Sequence, residues 1–236
     1  MDKTRTFQFF GLTFNVGNMI SGIVVALIVF GLVFYCSRKI QLKPKGKQNF
    51  LEYMIDFTNG IIKSTMPSGS TKDYGLWAFT LFYFILISNL LGLFLHIEVG
   101  GVVYVKSPTA DPIVAMAFAL MSLLIAQYSS VKKLGYKKHF ETYMQPISYL
   151  LPINLMEELT NFLTLGIRVY GNIFAGELLA GLIAKMAFSG GVGMILVSSP
   201  LELAWQGFSV FIGCIQAYVF VTLSCVYVAH KLVVEE

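Results

Sequence analysis

Charged residues are absent from four long stretches of the chain, 6–37, 74–97, 112–131 and 203–230, and apolar residues fill most of each. Every one meets the ~20 residues that a helix needs to cross a ~30 Å hydrocarbon core. A fifth stretch, 159–184, is as long but carries Arg168 and Glu177. None shows the period-two alternation of a transmembrane barrel, so five helical crossings are expected. A different pattern occupies 49–66, where Phe50, Leu51, Met54, Phe57, Ile61 and Ile62 recur at helical spacing against Glu52, Asp56, Asn59 and Lys63. It predicts an amphipathic helix that lies on the membrane surface or packs on a soluble partner.

The last two stretches extend beyond their apolar cores. Residues 154–157 read NLME and 199–202 read SPLE. Both resemble capping boxes, with Asn154 and Ser199 as N-caps and Pro200 at the first helical position of the second. Helices running from those caps to about residues 189 and 231 are each on the order of 33 residues, or ~50 Å, long. That exceeds the bilayer core, and their nearly continuous apolar surfaces favour steep inclination over protrusion into water. The segment 189–200 between them reads as a neutral loop.

Composition agrees with a membrane protein: 56% of residues are hydrophobic and 13% charged, against about 25% charged in a soluble domain. The expected fold is an all-α integral membrane protein with five membrane-crossing helices and one amphipathic surface helix, the last two crossings forming a long, inclined hairpin. It forms one membrane domain over 1–236, comprising an N-terminal span (1–37), the surface helix (47–66), a helical hairpin (74–131) and the long pair (153–231). The first span is too long for a signal peptide and no A-x-A-like site follows it, so it is read as retained. Basic residues gather in RKIQLKPKGK (38–47) and KKLGYKKHFE (132–141). By the positive-inside rule both face the cytoplasm, which puts the N-terminus outside and the C-terminus inside, against a mild objection from Lys3 and Arg5. Cys36, Cys214 and Cys225 lack C-x-x-C spacing, and the three histidines form no H-E-x-x-H, so no metal site, cofactor or disulfide framework is expected.

Arg168 is the anomaly. Its charge is permanent, it falls near the middle of its helix, and it costs roughly 2.5–3.5 kcal/mol or more at mid-bilayer unless paired or hydrated. Glu177 is a poor partner: nine helical residues are about 900°, placing it on the opposite face and ~13 Å further along. Asn172, at i+4, shares the arginine's face. Asp111, Glu98 and Glu202 lie near span ends. The pattern points to an ion pathway or to a carboxylate on another chain, with an intrachain pair as the bland alternative. Gly166, Gly171, Ala175 and Gly176 would admit a neighbouring helix closely, though some equally suit packing on the last helix of the same chain.

The stretch LGIRVYGNIFAGELL (165–179), followed by IQAYVFVTLSCVYV (215–228), resembles the a subunits of F-type ATP synthases. SNLLGLF (88–94), PTADPIVAMA (108–117) and LPINLMEELTNFLTLG (151–166) extend the likeness over roughly 74–230, whereas the N-terminal third agrees only in layout. The resemblance implies a non-catalytic stator subunit, in a bacterial plasma membrane, without a cofactor. Its partners would be the rotor c-ring, with one mid-membrane carboxylate per subunit, and peripheral-stalk b subunits. Two half-channels for H⁺ or Na⁺ would end near Arg168. Glu177 and Asp111 would line the outer one, with Asn89 and Gln216 as polar neighbours and Asn172 beside the arginine. Glu157 and Glu158 are candidates for the inner outlet, or else helix caps. Ser209 departs from the family pattern, since some relatives carry histidine there; water at Ser209 would substitute. The alternative is a secondary transporter in which Arg168 binds an anionic solute, disfavoured because internal repeats and broken helices are missing from the sequence. Nucleic acid is not expected as a partner.

Overall fold

The computed structural model describes residues 6–9, 12–38, 41, 46–94, 97–99, 102–105, 107–144, 148–189 and 191–232. Lys3, Arg5 and most of the first basic segment lie outside the described residues. The elements run β1 (Thr6–Phe9), β2 (Leu12–Asn15), α1 (Val16–Ser37), α2 (Lys47–Thr65), α3 (Thr71–Phe94), β3 (Ile97–Val99), β4 (Val102–Val105), a 3₁₀ turn (Pro108–Ala110), α4 (Pro112–Leu134), α5 (Tyr136–Thr142), a second 3₁₀ turn (Ser148–Leu150), α6 (Leu151–Ser189) and α7 (Gly191–Leu232). Among the described residues five helices, α1, α3, α4, α6 and α7, are long and apolar enough to cross a membrane.

Local chemistry explains where boundaries depart from the sequence pattern. The first apolar stretch does not become helical until Val16: residues before it pair as an antiparallel hairpin with Phe7 opposite Phe14. A second hairpin, β3–β4, forms in the loop after α3, where Ile97, Val99, Val102, Val103 and Val105 suit a pleated backbone. The expected caps are overturned. α6 starts at Leu151, so Asn154 lies inside it, and its amide donates instead to the Tyr143 carbonyl at 3.0 Å. α7 starts at Gly191 and runs through Ser199 and Pro200, so most of the neutral loop expected at 189–200 is helical. The apolar run Met194–Val197 favours helix, and a proline is tolerated in membrane helices where neighbouring groups re-satisfy the backbone. The two helices accordingly have 39 and 42 residues.

The chain separates into two compact units. The first comprises 1–32, 83–114 and 168–217; the second comprises 33–82, 115–167 and 218–236. In the first, apolar Val25, Ile85, Val169 and Ile173 are buried, and so are polar Asn89 and Thr109. In the second, α4 buries a row of small residues, Ala115, Ala119, Ser122, Ala126, Ser129 and Ser130, and the Ser224 hydroxyl of α7 donates to Ser122 at 3.1 Å. Small side chains of this kind let helices approach to near-backbone distance in lipid. α2 belongs to the same unit and buries Leu51, Met54, Ile61 and Ile62, while the Phe57 ring lies 5.4 Å from Phe82 and 6.3 Å from Tyr218. Part of its apolar stripe is therefore covered by its own chain, and Phe50 and Tyr53 stay exposed.

Candidate functional site

α6 is unbroken from Leu151 to Ser189, so Arg168 and Asn172 share a face while Glu177 projects from the other side, ~13 Å along. The Arg168 side chain is half-buried. Among the described residues no carboxylate lies within ion-pairing distance of it and no hydrogen bond engages it. One turn on, Asn172 donates its side-chain amide to Oε1 of Gln216 at 2.7 Å, joining α6 to α7. Gln216 is buried, and its Nε2 finds no acceptor among the described residues. Two turns earlier on α7 the Ser209 hydroxyl is also buried without a partner among them. A buried polar group left so costs about 1–3 kcal/mol. α7 comes close to α6 here: the Trp205 indole donates to the Gly176 carbonyl at 3.2 Å, and a Cβ at Gly176 would stand 3.9 Å from Ser209 Oγ. Glu177, next to Gly176, is half-buried.

Asn89 heads a second polar group in the same unit. It is fully buried, donates to the Gly213 carbonyl at 3.1 Å and accepts from Thr109 Oγ1 at 2.9 Å. Ser107 Oγ lies 2.7 Å from Thr109 Oγ1 and 2.9 Å from the Ser88 carbonyl. Two hydroxyl hydrogens thus serve three contacts, because each hydroxyl has one donor. At any moment one of the three contacts is therefore without a hydrogen. Asp111 caps α4, accepting from the Ile113 backbone N–H at 2.9 Å, and its other oxygen accepts from Asn18 of α1. Asn18, Ser107 and Thr109 were not singled out by the sequence. Asn18 had a signal, an amide in an apolar run; the two hydroxyls had none.

Glu157 and Glu158 belong to the second unit. Neither lies in the first turn of α6, which removes the helix-cap reading. Glu157 is exposed. Glu158 accepts from the Tyr143 hydroxyl at 2.5 Å and from Gln127, and pairs with Lys231 at 3.7 Å. The Lys231 ammonium sits 4.0 Å from the Tyr143 ring centroid. Burial, then the bond to Glu158, pushes the Tyr143 phenol well above its ordinary range. His139 lies edge-on to Tyr143 and 2.8 Å from Ser130 Oγ. Burial, with Lys231 second, lowers its affinity for a proton, against an opposing pull from Glu158. Among the described residues no three His, Cys, Asp or Glu side chains converge on a metal site, and the cysteines are free.

With this geometry in place, the comparisons are specific. Residues 19–229 match the family described as ATP synthase A chain. ATP synthase subunit a of Pediococcus pentosaceus is 56% identical over 232 residues, covering 98% of each chain. The Limosilactobacillus fermentum protein of the same name is 52% identical over 227 residues, 96% of each. That of Enterococcus faecalis is 48% identical over 234 residues, 95% of this chain and 98% of its own.

Proposed function

The chain belongs to the ATP synthase subunit a family, multi-pass membrane proteins of ATP synthesis and ion transport, and we propose that its polar residues form the stator side of a rotary ion path. In this reading Arg168 faces a succession of carboxylates on a rotor c-ring, and b subunits hold the chain still. Asp111, Asn89, Glu177, Ser209, Gln216 and Asn172 serve one half-channel, while Glu157 and Glu158 stand toward the other, with the N-terminus outside and the C-terminus in the cytoplasm. The transported ion is H⁺; Na⁺ would use the same geometry with different rotor ligands.

The observation that carries the reading is a half-buried arginine inside a membrane helix with no carboxylate partner among the described residues. At ~4 Å and an effective dielectric of 20, a charge pair is worth about 4 kcal/mol, or about three pKa units. A protonated rotor carboxylate approaching Arg168 is thereby driven to release its proton. The same fixed charge repels H⁺ from a direct route between half-channels, so ion flow requires rotation. Each elementary charge gains about 2.3 kcal/mol per 100 mV of membrane potential. Lysine would serve less well, since a buried ammonium can deprotonate and lacks the planar fork.

Cross-linking tests the interface. A Cβ at Gly171 meets nothing within 4 Å, so Gly171→Cys should be tolerated and should form a disulfide with a cysteine placed at mid-membrane on a c subunit. Cross-links confined to this chain would reject the rotor-facing assignment.

A further inference from the structure

Among the described residues three buried polar atoms on α7 lack a protein partner: Glu202 Oε2, Ser209 Oγ and Gln216 Nε2. They are spaced by sevens. Seven helical residues return to within ~20° of the same face and advance ~10 Å, so the three atoms form one line along the helix within the first unit. Its deep end is the Gln216–Asn172 bond, one turn from Arg168. Its other end opens on a groove of about 1070 Å³ lined by Ser198, Ser199, Glu202 and Gln206 beside apolar Ile183 and Leu203. On α6, Glu177 lies two turns before Ala184, which also lines the groove, so it shares a helix face with that groove-lining residue.

The capping role expected of Glu202 is removed by the structure, because α7 passes uninterrupted through residues 191–201 and leaves no backbone N–H for it to cap. Among the described residues its one side-chain hydrogen bond comes from Gln206 Nε2, at the long distance of 3.5 Å. Among the described residues it is the only ionisable side chain lining the groove. A carboxylate, a hydroxyl and an amide in file, each with an unused atom, offer a polar anchor about every 10 Å, a gap that a short chain of waters bonded to one another can span.

We propose that Glu202 is a proton-relay residue at the mouth of this path. It takes a proton from water in the groove, releases it to the next water in the file, and regains its charge, while Ser209 and Gln216 hold the file toward Arg168. The inference rests on the ion-path reading above. It also accounts for serine at 209: the titratable group that some relatives are expected to carry there is supplied two turns away.

The test uses the whole complex in proteoliposomes with the pH of each compartment set separately. Glu202→Gln should slow proton-driven ATP synthesis by about tenfold, less than the roughly 10²–10⁴ of a group transferring the proton in a chemical step, because water still reaches Ser209. The deficit should deepen as the groove-side compartment becomes alkaline, where protons are scarce, and Glu202→Asp should restore both rate and pH profile. In a Cys214→Ser background, Glu202→Cys should react with a membrane-impermeant thiol reagent from that side alone. Wild-type rates in Glu202→Gln at every pH, a deficit independent of pH, or a thiol unreactive from either side would overturn the proposal. Arg168→Ala, measured in parallel, separates the two readings: if it abolishes coupling while Glu202→Gln is silent, only the relay fails.

Discussion

Arg168 stands out because every other feature of its helix argues against a charge at that depth. Its chemistry was legible in the sequence, since a guanidinium cannot escape its cost by losing a proton, and so was the helical register that puts Asn172 rather than Glu177 on its face. The surrounding polar shell was less legible. Asn89, Ser209 and Gln216 were singled out only through the family resemblance, and Ser107, Thr109 and Glu202 acquire their positions only through tertiary folding. Gly92 shows the same limit. Nothing in SNLLGLF marks it, yet a Cβ there would fall 2.3 Å from Ser107 Cβ and 3.1 Å from its Cα. Because backbone as well as side chain is struck, Gly92→Ala should cost about 1–3 kcal/mol and disturb the Asn89–Thr109–Ser107 junction. Gly181→Ala, with open space around its added methyl, should be neutral or stabilising by up to about 1 kcal/mol through helix propensity. Thermal unfolding of the purified chain in detergent compares the two; equal midpoints would contradict the close-packing account.

At the scale of elements, apolar length located α3 and α4 within a few residues and found the cores of α6 and α7. Local signals misplaced the starts of the last two. NLME and SPLE have the residue types of capping boxes, but a cap forms only where backbone N–H groups would otherwise be orphaned, and both motifs lie inside continuous helices. The hairpins were hidden because strands of three or four residues leave too short a pattern to recognise. The seven-residue α5 escaped for the same reason, although Gly135 before it adopts φ 81°, a turn that glycine makes without strain. This short helix docks by His139, buried beside Ser130, Tyr143 and Lys231. Its folded-state proton affinity lies below the ordinary value of 6.5, so the docked form prefers neutral imidazole. The sign follows: this contribution is complete above about pH 6.5 and is lost as the pH falls through the lowered folded value. Hydrogen exchange across 136–143, corrected for intrinsic rates, should show protection declining in that window, and His139→Gln should flatten the decline. An identical pH slope in the variant would contradict the assignment.

For the molecule as a whole, five apolar helices and a match across 19–229 make it a multi-pass membrane protein of the ATP synthase subunit a family. Family membership removes the reading of Arg168 as an anion-binding residue of a secondary transporter. In the proposed reading the chain needs no activated nucleophile of its own; its contribution is a fixed field beside a moving partner. The first unit contains the arginine, the Asn172–Gln216 bridge and the Asn89 junction, while the second ties Glu158, Tyr143, Gln127 and Lys231 into a local network. The most direct test of the central claim is ATP-driven acidification of inverted membrane vesicles carrying Arg168→Ala, with assembly verified by the content of c and b subunits. The account predicts assembled complexes whose acidification is abolished. Acidification at the wild-type rate in an assembled Arg168→Ala complex would contradict it.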